Sequence, residues 1–180
     1  MTSFPERICL CGFMGAGKTT VGKELADRLS YIFVDLDGAI TNQQDRTISE
    51  IFEQGGEDYF RKLELEAGER ALMLERVVIS LGGGALTQAR LSTAVKKNAY
   101  LVYLEAAPET LFARIAADTS RPLLDGARSL EEFQAVYDKR ISERKKGYTK
   151  ADLTIKTDES GIEGIVEQIL KSIPGNPARV

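Results

Sequence analysis

The stretch GFMGAGKTT, residues 12–20, contains the pattern Gly-x-x-x-x-Gly-Lys-Thr and decides the fold class of this 180-residue chain. It directly follows the apolar run Arg7–Cys11 and directly precedes a segment of helical periodicity that begins near Lys18. This strand–loop–helix context is the one in which the pattern forms a phosphate-binding loop (P-loop). Its glycines let backbone N–H groups turn inward around phosphate oxygens, and the following helix N-terminus adds partial positive charge.

The loop residues also predict how a nucleoside triphosphate is held. The Lys18 ammonium is expected to reach the β- and γ-phosphates as a catalytic cation, and the Thr19 hydroxyl is expected to ligate Mg²⁺. ATP is therefore the predicted co-substrate and Mg²⁺ the predicted cofactor. A glycine-rich turn with a solvated lysine is the alternative. The loop residues expected to contact ATP are Met14, Gly15, Ala16, Gly17, Lys18, Thr19 and Thr20.

Short apolar segments alternate with longer amphipathic ones along the chain. Several of the apolar segments are continuously apolar and β-branched, which suits strands buried on both faces. Strand followed by helix, repeated about five times, predicts an α/β fold of three layers, with a parallel five-stranded sheet covered by helices on both faces. The expected strands are Arg7–Cys11, 31–35, 77–81, 99–104 and Leu153–Lys156. Helical spacing runs from Phe60 to Leu74, and further helices are expected to begin near Lys18, Thr87, Pro108, Leu130 and Ser160.

We expect one domain over residues 1–180, because no linker, repeat or low-complexity tract interrupts the chain. Its core should comprise about 7–36, 77–117 and 130–173. Two polar insertions remain, at about 37–62 and 118–129. In open α/β sheets, ligands bind beyond the carboxyl ends of the strands, where such insertions gather. The first is expected to bind substrate and carries a Thr47-x-x-Glu50 helix-capping pattern, and the second is expected to act as a lid.

Composition excludes several classes of function. A net charge of −3 and a pI near 5.2 argue against a broad electrostatic grip on nucleic acid or anionic membrane. We see neither a run of about 18 apolar residues nor a signal-peptide pattern. The only cysteines, Cys9 and Cys11, are too few for a disulfide framework and are expected to be buried thiols of one strand face. A cytoplasmic location is therefore expected.

The chain contains no histidine, so any general base should be a carboxylate. Asp35 and Asp37 end the second predicted strand in the sequence VDLD. Two residues apart on an extended chain, their side chains should face the same way, towards the P-loop. One could organise the water shell of Mg²⁺ and the other could accept the proton of a substrate hydroxyl. A strand-end turn or a helix N-cap is the alternative.

A triple glycine and an arginine are further candidates for a ligand site. Three glycines after the third strand have no packing value, which favours close approach of the backbone to a ligand over a merely flexible connection. Arg61 should lie off the apolar stripe of its helix, near Glu57 and Glu64, so a surface ion pair is its alternative role. The three glycines are Gly82, Gly83 and Gly84.

Other arginines have less distinctive surroundings. Arg121 precedes Pro122 in the second insertion, where a guanidinium could close over phosphates or could simply be solvated. Arg140 and Arg144 lie in a helix rich in charge, whose default interpretation is a solvated face. Physical reasoning from the sequence does not separate these two.

Together these features resemble the shikimate kinase family. GFMGAGKTT, VDLD, FRKLE, the triple glycine, SRPLL and an arginine four residues before Tyr148 occur in the family's order, over roughly residues 8 to 157. The P-loop alone is widely shared, whereas the other five in this order are specific. The resemblance implies a nucleoside-monophosphate-kinase-like fold, monomeric state, and transfer of the γ-phosphate of ATP to the 3-hydroxyl of shikimate in aromatic amino-acid synthesis.

The resemblance also implies residue roles. Asp37 would bind the substrate hydroxyls and act as candidate base, while Asp35 would lie near Mg²⁺, through water. Arg121 would be the catalytic lid arginine on ATP, and Arg114 would lie near the adenine. The substrate carboxylate would be held by Arg61 and Arg144 together with Gly83, and Gly82 and Gly84 would also belong to the substrate-binding residues. The sequence departs from the family at Leu81 and at 145–147, which leaves Arg140 open as the alternative to Arg144.

Two other functions are compatible with a P-loop in this sequence. Gluconate and nucleoside monophosphate kinases share the P-loop and lid, but Gly-Lys-Thr-Thr differs from the usual Gly-Lys-Gly-Thr of adenylate kinases, and the aspartate pair with Arg61 fits shikimate better. A nucleotide-binding module without catalysis is the third possibility. The intact Lys18, Thr19, Asp37 and Arg121 argue against it.

Overall fold

The structure is a computed structural model that describes residues 4–117, 127 and 129–175. Its centre is a five-stranded parallel sheet with strand order β2-β3-β1-β4-β5. The strands are β1 Arg7–Cys11, β2 Ile32–Asp35, β3 Val77–Ser80, β4 Tyr100–Glu105 and β5 Leu153–Lys156. The predicted α/β class and all five predicted strands are confirmed, with ends that differ by at most one residue.

Seven helices connect and cover these strands within the described residues. They are α1 Lys18–Leu29, α2 Leu36–Gln44, α3 Ile48–Ala71, α4 Ala89–Asn98, α5 Pro108–Ala117, α6 Leu130–Tyr148 and α7 Ile162–Ser172, with a 3₁₀ turn at Ala85–Thr87. The Thr47–Glu50 capping box begins α3 as predicted. Most of the polar insertion after β2 is therefore helical, and Gly56, with φ 72° and ψ −178°, kinks α3 in the middle.

The side chains of β1 show why both sheet faces are covered. Ile8 and Leu10 point into a core that α1, α5 and α7 complete, whereas Cys9 and Cys11 point into a second core formed with α2, α3 and α4. The buried thiols predicted from the sequence are confirmed. Burial raises the pKa of Cys11 to about 12, so neither a reactive thiolate nor a metal ligand is expected there at neutral pH.

The strand order determines where a ligand crevice opens at the edge of the sheet. From β1 the chain passes to β2 and β3 on one side, and later adds β4 and β5 on the other side. Such a reversal opens a crevice at the carboxyl end of the central strands. The loops that follow β1, β2 and β3 open at this crevice, and they carry the P-loop, the two aspartates and the triple glycine.

Two further expectations concern the rest of the chain. Arg121 and most of the expected lid, 118–129, lie outside the described residues; Ala127 is buried in the core with α1 and α5. Across the described ranges, no helix combines the length and the apolar character needed to cross a membrane.

Candidate active site

The P-loop is built by glycines in conformations that other residues rarely adopt. Gly15 and Gly17 have φ values of 83° and 91°, and Gly17 is the N-cap of α1. A Cβ on Gly12 would lie 2.5 Å from the carbonyl oxygen of Leu104. A side chain at Gly12 would therefore push the loop away from β4, and at Gly15 and Gly17 it would strain the backbone. The loop and the helix N-terminus behind it are the phosphate-binding arrangement that the sequence predicts.

Lys18 lies over the loop, with its ammonium held by main-chain oxygens. Its Nζ donates to the carbonyl oxygens of Gly12 at 2.9 Å and Phe13 at 3.0 Å. Burial lowers the pKa of Lys18, and the nearby carboxylates of Asp37 and Asp35 oppose that shift. The structure thus brings this cation and both predicted aspartates together, although they come from two different strand ends.

Asp35 connects strand β2 to the P-loop. Its Oδ2 accepts a hydrogen bond of 2.7 Å from the Thr19 hydroxyl, and its Oδ1 accepts one of 3.1 Å from the Gly38 N–H. The second bond makes Asp35 the N-cap of α2. The alternative of an N-cap was considered for Asp37, but Asp35 is the capping residue.

The expected geometry of the aspartate pair is wrong in one respect. The strand ends at Asp35, and Asp37 lies in the first turn of α2 rather than on an extended chain. The capping bond from Gly38 explains this, because it starts the helix directly at Leu36. Asp37 still reaches the crevice: a Cβ on Gly82 would lie 3.0 Å from its Oδ1.

The Thr19–Asp35 contact fits a magnesium site. A hydroxyl and a carboxylate oxygen lie side by side next to the P-loop. Mg²⁺ prefers oxygen ligands, keeps several waters, and is usually bound by one or two carboxylates together with substrate phosphates. In the described part of the chain, no group of three or more His, Cys, Asp and Glu residues could by itself hold a metal ion.

Arg61 has the two partners that helical spacing predicts. Its Nη1 donates to Glu64 Oε2 at 2.6 Å, and its Nη2 and Nε donate to Glu57 Oε1 at 3.1 and 3.3 Å. Only the Glu57 pair is at the surface, because the Glu64 side chain is 1% exposed. Glu64 also accepts a hydrogen bond of 2.8 Å from Gln88 Nε2. Burial raises the pKa of Glu64, and the charge of Arg61 opposes the rise.

The triple glycine lets two arginines reach the main chain. A Cβ on Gly83 would lie 2.9 Å from Arg144 Nη1, and a Cβ on Gly84 would lie 2.6 Å from Arg61 Nη2. A Cβ on Gly82 would collide with Glu64 Oε1. The three consecutive glycines therefore allow close approach of protein side chains, whereas approach of a ligand to their main chain stays a prediction.

Arg144 occupies a more defined position than Arg140. Its guanidinium lies 5.1 Å from the centroid of the Phe13 ring, directly behind the P-loop, and against Gly83. Tyr148, one turn later on α6, donates from its hydroxyl to the Gly83 carbonyl oxygen at 2.7 Å. Arg140 lies one turn earlier and lines the same cavity. The fold therefore favours Arg144 as the residue that faces the triple glycine.

These groups surround a cavity of about 820 Å³ between α3, α6 and the triple glycine. One of its lining residues, Arg144, also lies over the ring of Phe13 in the P-loop, which links the cavity to that loop. The residues that line it are Phe52, Glu57, Arg61, Gly84, Thr87, Ala135, Val136, Lys139, Arg140, Glu143 and Arg144.

Arg114 lies on the opposite side of the P-loop. Its Nη2 donates to the Thr157 carbonyl oxygen at 2.6 Å, and its Nη1 donates to the Thr157 hydroxyl at 3.0 Å and to the Gly15 carbonyl oxygen at 3.4 Å. Arg114 thus joins the P-loop to the segment after β5. This position beside the loop is compatible with the role near adenine that the resemblance implies.

Sequence reasoning did not identify the residues that support the two arginines. Gln88 is distant from Glu64 along the chain, and Tyr148 is distant from Gly83. Only the folded chain shows that each pair is in contact. The burial of Glu64 was also missed. The sequence does offer one signal for it, since Glu64 lies four residues after Phe60 and three before Ala67, on the apolar stripe of α3.

The parallel sheet, the P-loop and an acceptor cavity beside it define a P-loop kinase of the nucleoside-monophosphate-kinase-like class. The sequence profile of the shikimate kinase family matches residues 14–174. The chain belongs to the shikimate kinase family. Its enzymatic activity is accordingly that of a shikimate kinase, in the shikimate pathway of aromatic amino-acid biosynthesis, and members of this family typically depend on Mg-ATP.

Individual relatives match nearly the whole chain. A shikimate kinase from Chlorobium chlorochromatii (strain CaD3) is 38% identical over 177 residues, which are 96% of this chain and 93% of that protein. The crystal structure of shikimate kinase from Bacteroides thetaiotaomicron matches with a TM-score of 0.85 and 32% identity, over 95% of this chain and 98% of that one. The structure of shikimate kinase from Acinetobacter baumannii in complex with shikimate matches with a TM-score of 0.83 and 34% identity, over 93% of this chain and 92% of that one. The resemblance is confirmed, and the competing functions are not supported.

Proposed function

We propose that this chain phosphorylates the 3-hydroxyl of shikimate in the cavity between α3, α6 and the triple glycine, with shikimate 3-phosphate and ADP as products. The convergence of Arg61 and Arg144 on the triple glycine, beside the P-loop, is the observation that carries this proposal. Two fixed cations at one end of a cavity suit a small substrate whose only charge is a carboxylate.

Arg61 and Arg144 would bind the substrate carboxylate. The two guanidiniums come from different helices and lie against Gly84 and Gly83, so both can reach one carboxylate beside these glycines. Each charge-assisted hydrogen bond of this kind contributes about 1.5–3 kcal/mol. Binding this end of the substrate would orient its hydroxyls towards the P-loop, which is the main requirement of phosphoryl transfer.

Asp37 would orient the 3-hydroxyl and accept its proton. Its carboxylate lies near both Lys18 and Gly82, that is, between the phosphate site and the substrate cavity. As the hydroxyl oxygen forms its bond to the γ-phosphorus, the bond from that phosphorus to the β-γ bridging oxygen breaks and ADP leaves. The hydroxyl proton passes to Asp37. With no histidine in the chain, a carboxylate is the available base.

The remaining predicted residues would bind ATP. The P-loop N–H groups from Met14 to Thr20 would surround the phosphates, and Lys18 would exchange its contacts with the Gly12 and Phe13 carbonyl oxygens for phosphate oxygens. Arg114 would lie near the adenine, and Arg121 would neutralise charge on the transferring group.

Thr19 and Asp35 would hold Mg²⁺, with Asp35 acting through a water molecule. Their oxygens are adjacent and need little rearrangement to face a cation between them and the phosphates. When bound, Mg²⁺ neutralises the charge that develops on the β- and γ-phosphate oxygens.

The substitution Asp37→Asn tests the role of the carboxylate. It keeps the size and polarity of the side chain but removes the basic group. We expect kcat to fall by about 10²–10⁴, the usual range for loss of a general base, with unchanged affinity for ATP. Asp27→Asn, on the exposed side of α1, is the control and should behave like the wild type. An Asp37→Asn variant with wild-type kcat would remove Asp37 from the mechanism.

Parallel variants decide between the two arginines of α6. Arg144→Ala should raise the KM for shikimate about tenfold or more, because one charge-assisted contact to the carboxylate is lost. Arg140→Ala should change it much less. The reverse order would transfer the carboxylate-binding role to Arg140.

A further inference from the structure

All three hydrogen-bonding nitrogens of Arg61 contact carboxylates of the protein itself. Nη1 is bonded to Glu64, while Nη2 and Nε share one carboxylate oxygen of Glu57. The Nη2–Nε edge of a guanidinium is one of the two edges that bind a carboxylate in a bidentate manner. In this structure Glu57 occupies that edge, and Glu57 also lines the substrate cavity.

The two glutamates differ in how firmly they are held. Glu64 is 1% exposed, packs against Gly82 and accepts a further hydrogen bond from Gln88. Glu57 is 66% exposed and reaches Arg61 at 3.1 and 3.3 Å. Glu64 therefore fixes the orientation of the guanidinium, whereas the contact with Glu57 can be exchanged for another carboxylate.

We infer that Glu57 is an internal competitor of the substrate: it occupies the carboxylate-binding edge of Arg61 in the free enzyme and is displaced when shikimate binds. This inference depends on the proposed role of Arg61 in binding the substrate carboxylate. Glu57 thus lowers the affinity for shikimate and is an affinity-determining residue, although it takes no part in phosphoryl transfer.

The position of Glu57 keeps the free-energy cost of displacing it from Arg61 small. It directly follows Gly56, whose non-helical backbone separates the two halves of α3, so Glu57 begins the second half of this helix. A carboxylate at the start of a helix is stabilised by the helix dipole. Water can also solvate it, because most of the side chain is exposed. Glu57 therefore remains well accommodated after the substrate carboxylate has replaced it on Arg61.

Glu57→Gln tests this competition. Glutamine keeps the length of the side chain and an acceptor oxygen but removes the charge. Because exposed ion pairs contribute little, we expect the KM for shikimate to fall by about two- to fivefold, with kcat and the KM for ATP unchanged. Glu53→Gln is the matched control, since Glu53 is an exposed glutamate of the same helix outside the cavity lining, and it should leave the KM unchanged. An unchanged or raised KM in Glu57→Gln would overturn the inference.

A double-mutant cycle with Arg61→Ala separates failure of the inference from failure of the proposed function. Arg61→Ala should raise the KM for shikimate, and Glu57→Gln should have no further effect in that background. A wild-type KM in Arg61→Ala would refute the proposed role of Arg61. If Arg61→Ala raises the KM but Glu57→Gln lowers it equally in both backgrounds, the effect belongs to net charge, and the inference alone fails.

Discussion

Replacing Gly84 by alanine should damage the carboxylate site through a single added methyl group. The backbone of Gly84 has φ −103° and ψ 0°, which alanine can adopt, so no backbone strain is introduced. The new Cβ, however, would lie 2.6 Å from Nη2, 2.8 Å from Nη1 and 3.0 Å from Cζ of Arg61. Real Cβ atoms essentially never approach other atoms closer than 3.0 Å, so the guanidinium must move.

The size of the effect follows from what restrains Arg61. Its Nη1 is held at 2.6 Å by the buried carboxylate of Glu64, so the guanidinium cannot withdraw without weakening that bond. A displaced guanidinium loses roughly one charge-assisted hydrogen bond to the substrate, about 1.5–3 kcal/mol. Since 1.4 kcal/mol corresponds to a factor of ten, the KM for shikimate should rise by about 10- to 100-fold.

The assay is ADP release at saturating ATP with varied shikimate, combined with thermal unfolding of each variant. Gly164→Ala is the control, because its nearest neighbour would be Ser160 Cβ at 3.7 Å, on a helix far from the site. Gly84→Ala should keep the wild-type KM for ATP. A correctly folded Gly84→Ala variant whose KM for shikimate lies within twofold of the wild type would refute the reasoning.

Three further predictions concern the supporting residues. Tyr148→Phe removes only the hydroxyl that bonds to Gly83, so we expect the KM for shikimate to rise by about three- to tenfold with little change in kcat. If a steady-state assay gives the same KM for the variant and the wild type, Tyr148 is a packing residue. Burial raises the pKa of Glu64 above its ordinary value of 4.5, so the native state binds more protons and the free energy of unfolding should fall as pH rises through the interval between the two pKa values. Urea unfolding at several pH values should show that the free energy of unfolding depends less steeply on pH in Glu64→Gln than in the wild type. An identical pH dependence would contradict the raised pKa of Glu64. Arg114→Ala should raise the KM for ATP but not for shikimate, because it loses the links from the P-loop to Thr157, and the opposite pattern in initial-rate kinetics would exclude a role on the nucleotide side.

The sheet and the P-loop could be predicted because their signals are local. A continuous apolar run such as 77–81 indicates a buried parallel strand wherever it occurs, and the P-loop pattern fixes strand, turn and helix at once. The helix α2 was not predicted, because Leu36 and Ile40 are its only buried residues and give a weak periodic signal. Its start depends on the Asp35 cap, which a strand-based interpretation of VDLD does not anticipate.

The candidate site required the folded chain for a different reason. The contacts that define it join residues far apart in sequence, such as Gln88 with Glu64 and Arg144 with Gly83. From the sequence Arg144 and Arg140 are equivalent charges on one helix. In the structure Arg144 lies over the Phe13 ring and against Gly83, a position that its sequence neighbourhood does not reveal.

The most direct test of the account is ADP release by the purified protein with ATP and Mg²⁺ and, in turn, shikimate, gluconate and AMP as acceptor. The account predicts rapid turnover with shikimate alone, because Arg61 and Arg144 line the cavity and can bind a carboxylate, while Asp37 lies near Gly82 and Lys18, where it can accept the proton of a substrate hydroxyl. It also predicts that Arg61→Ala loses this preference through a raised KM. Absence of shikimate-dependent turnover, or faster turnover with gluconate or AMP, would contradict it.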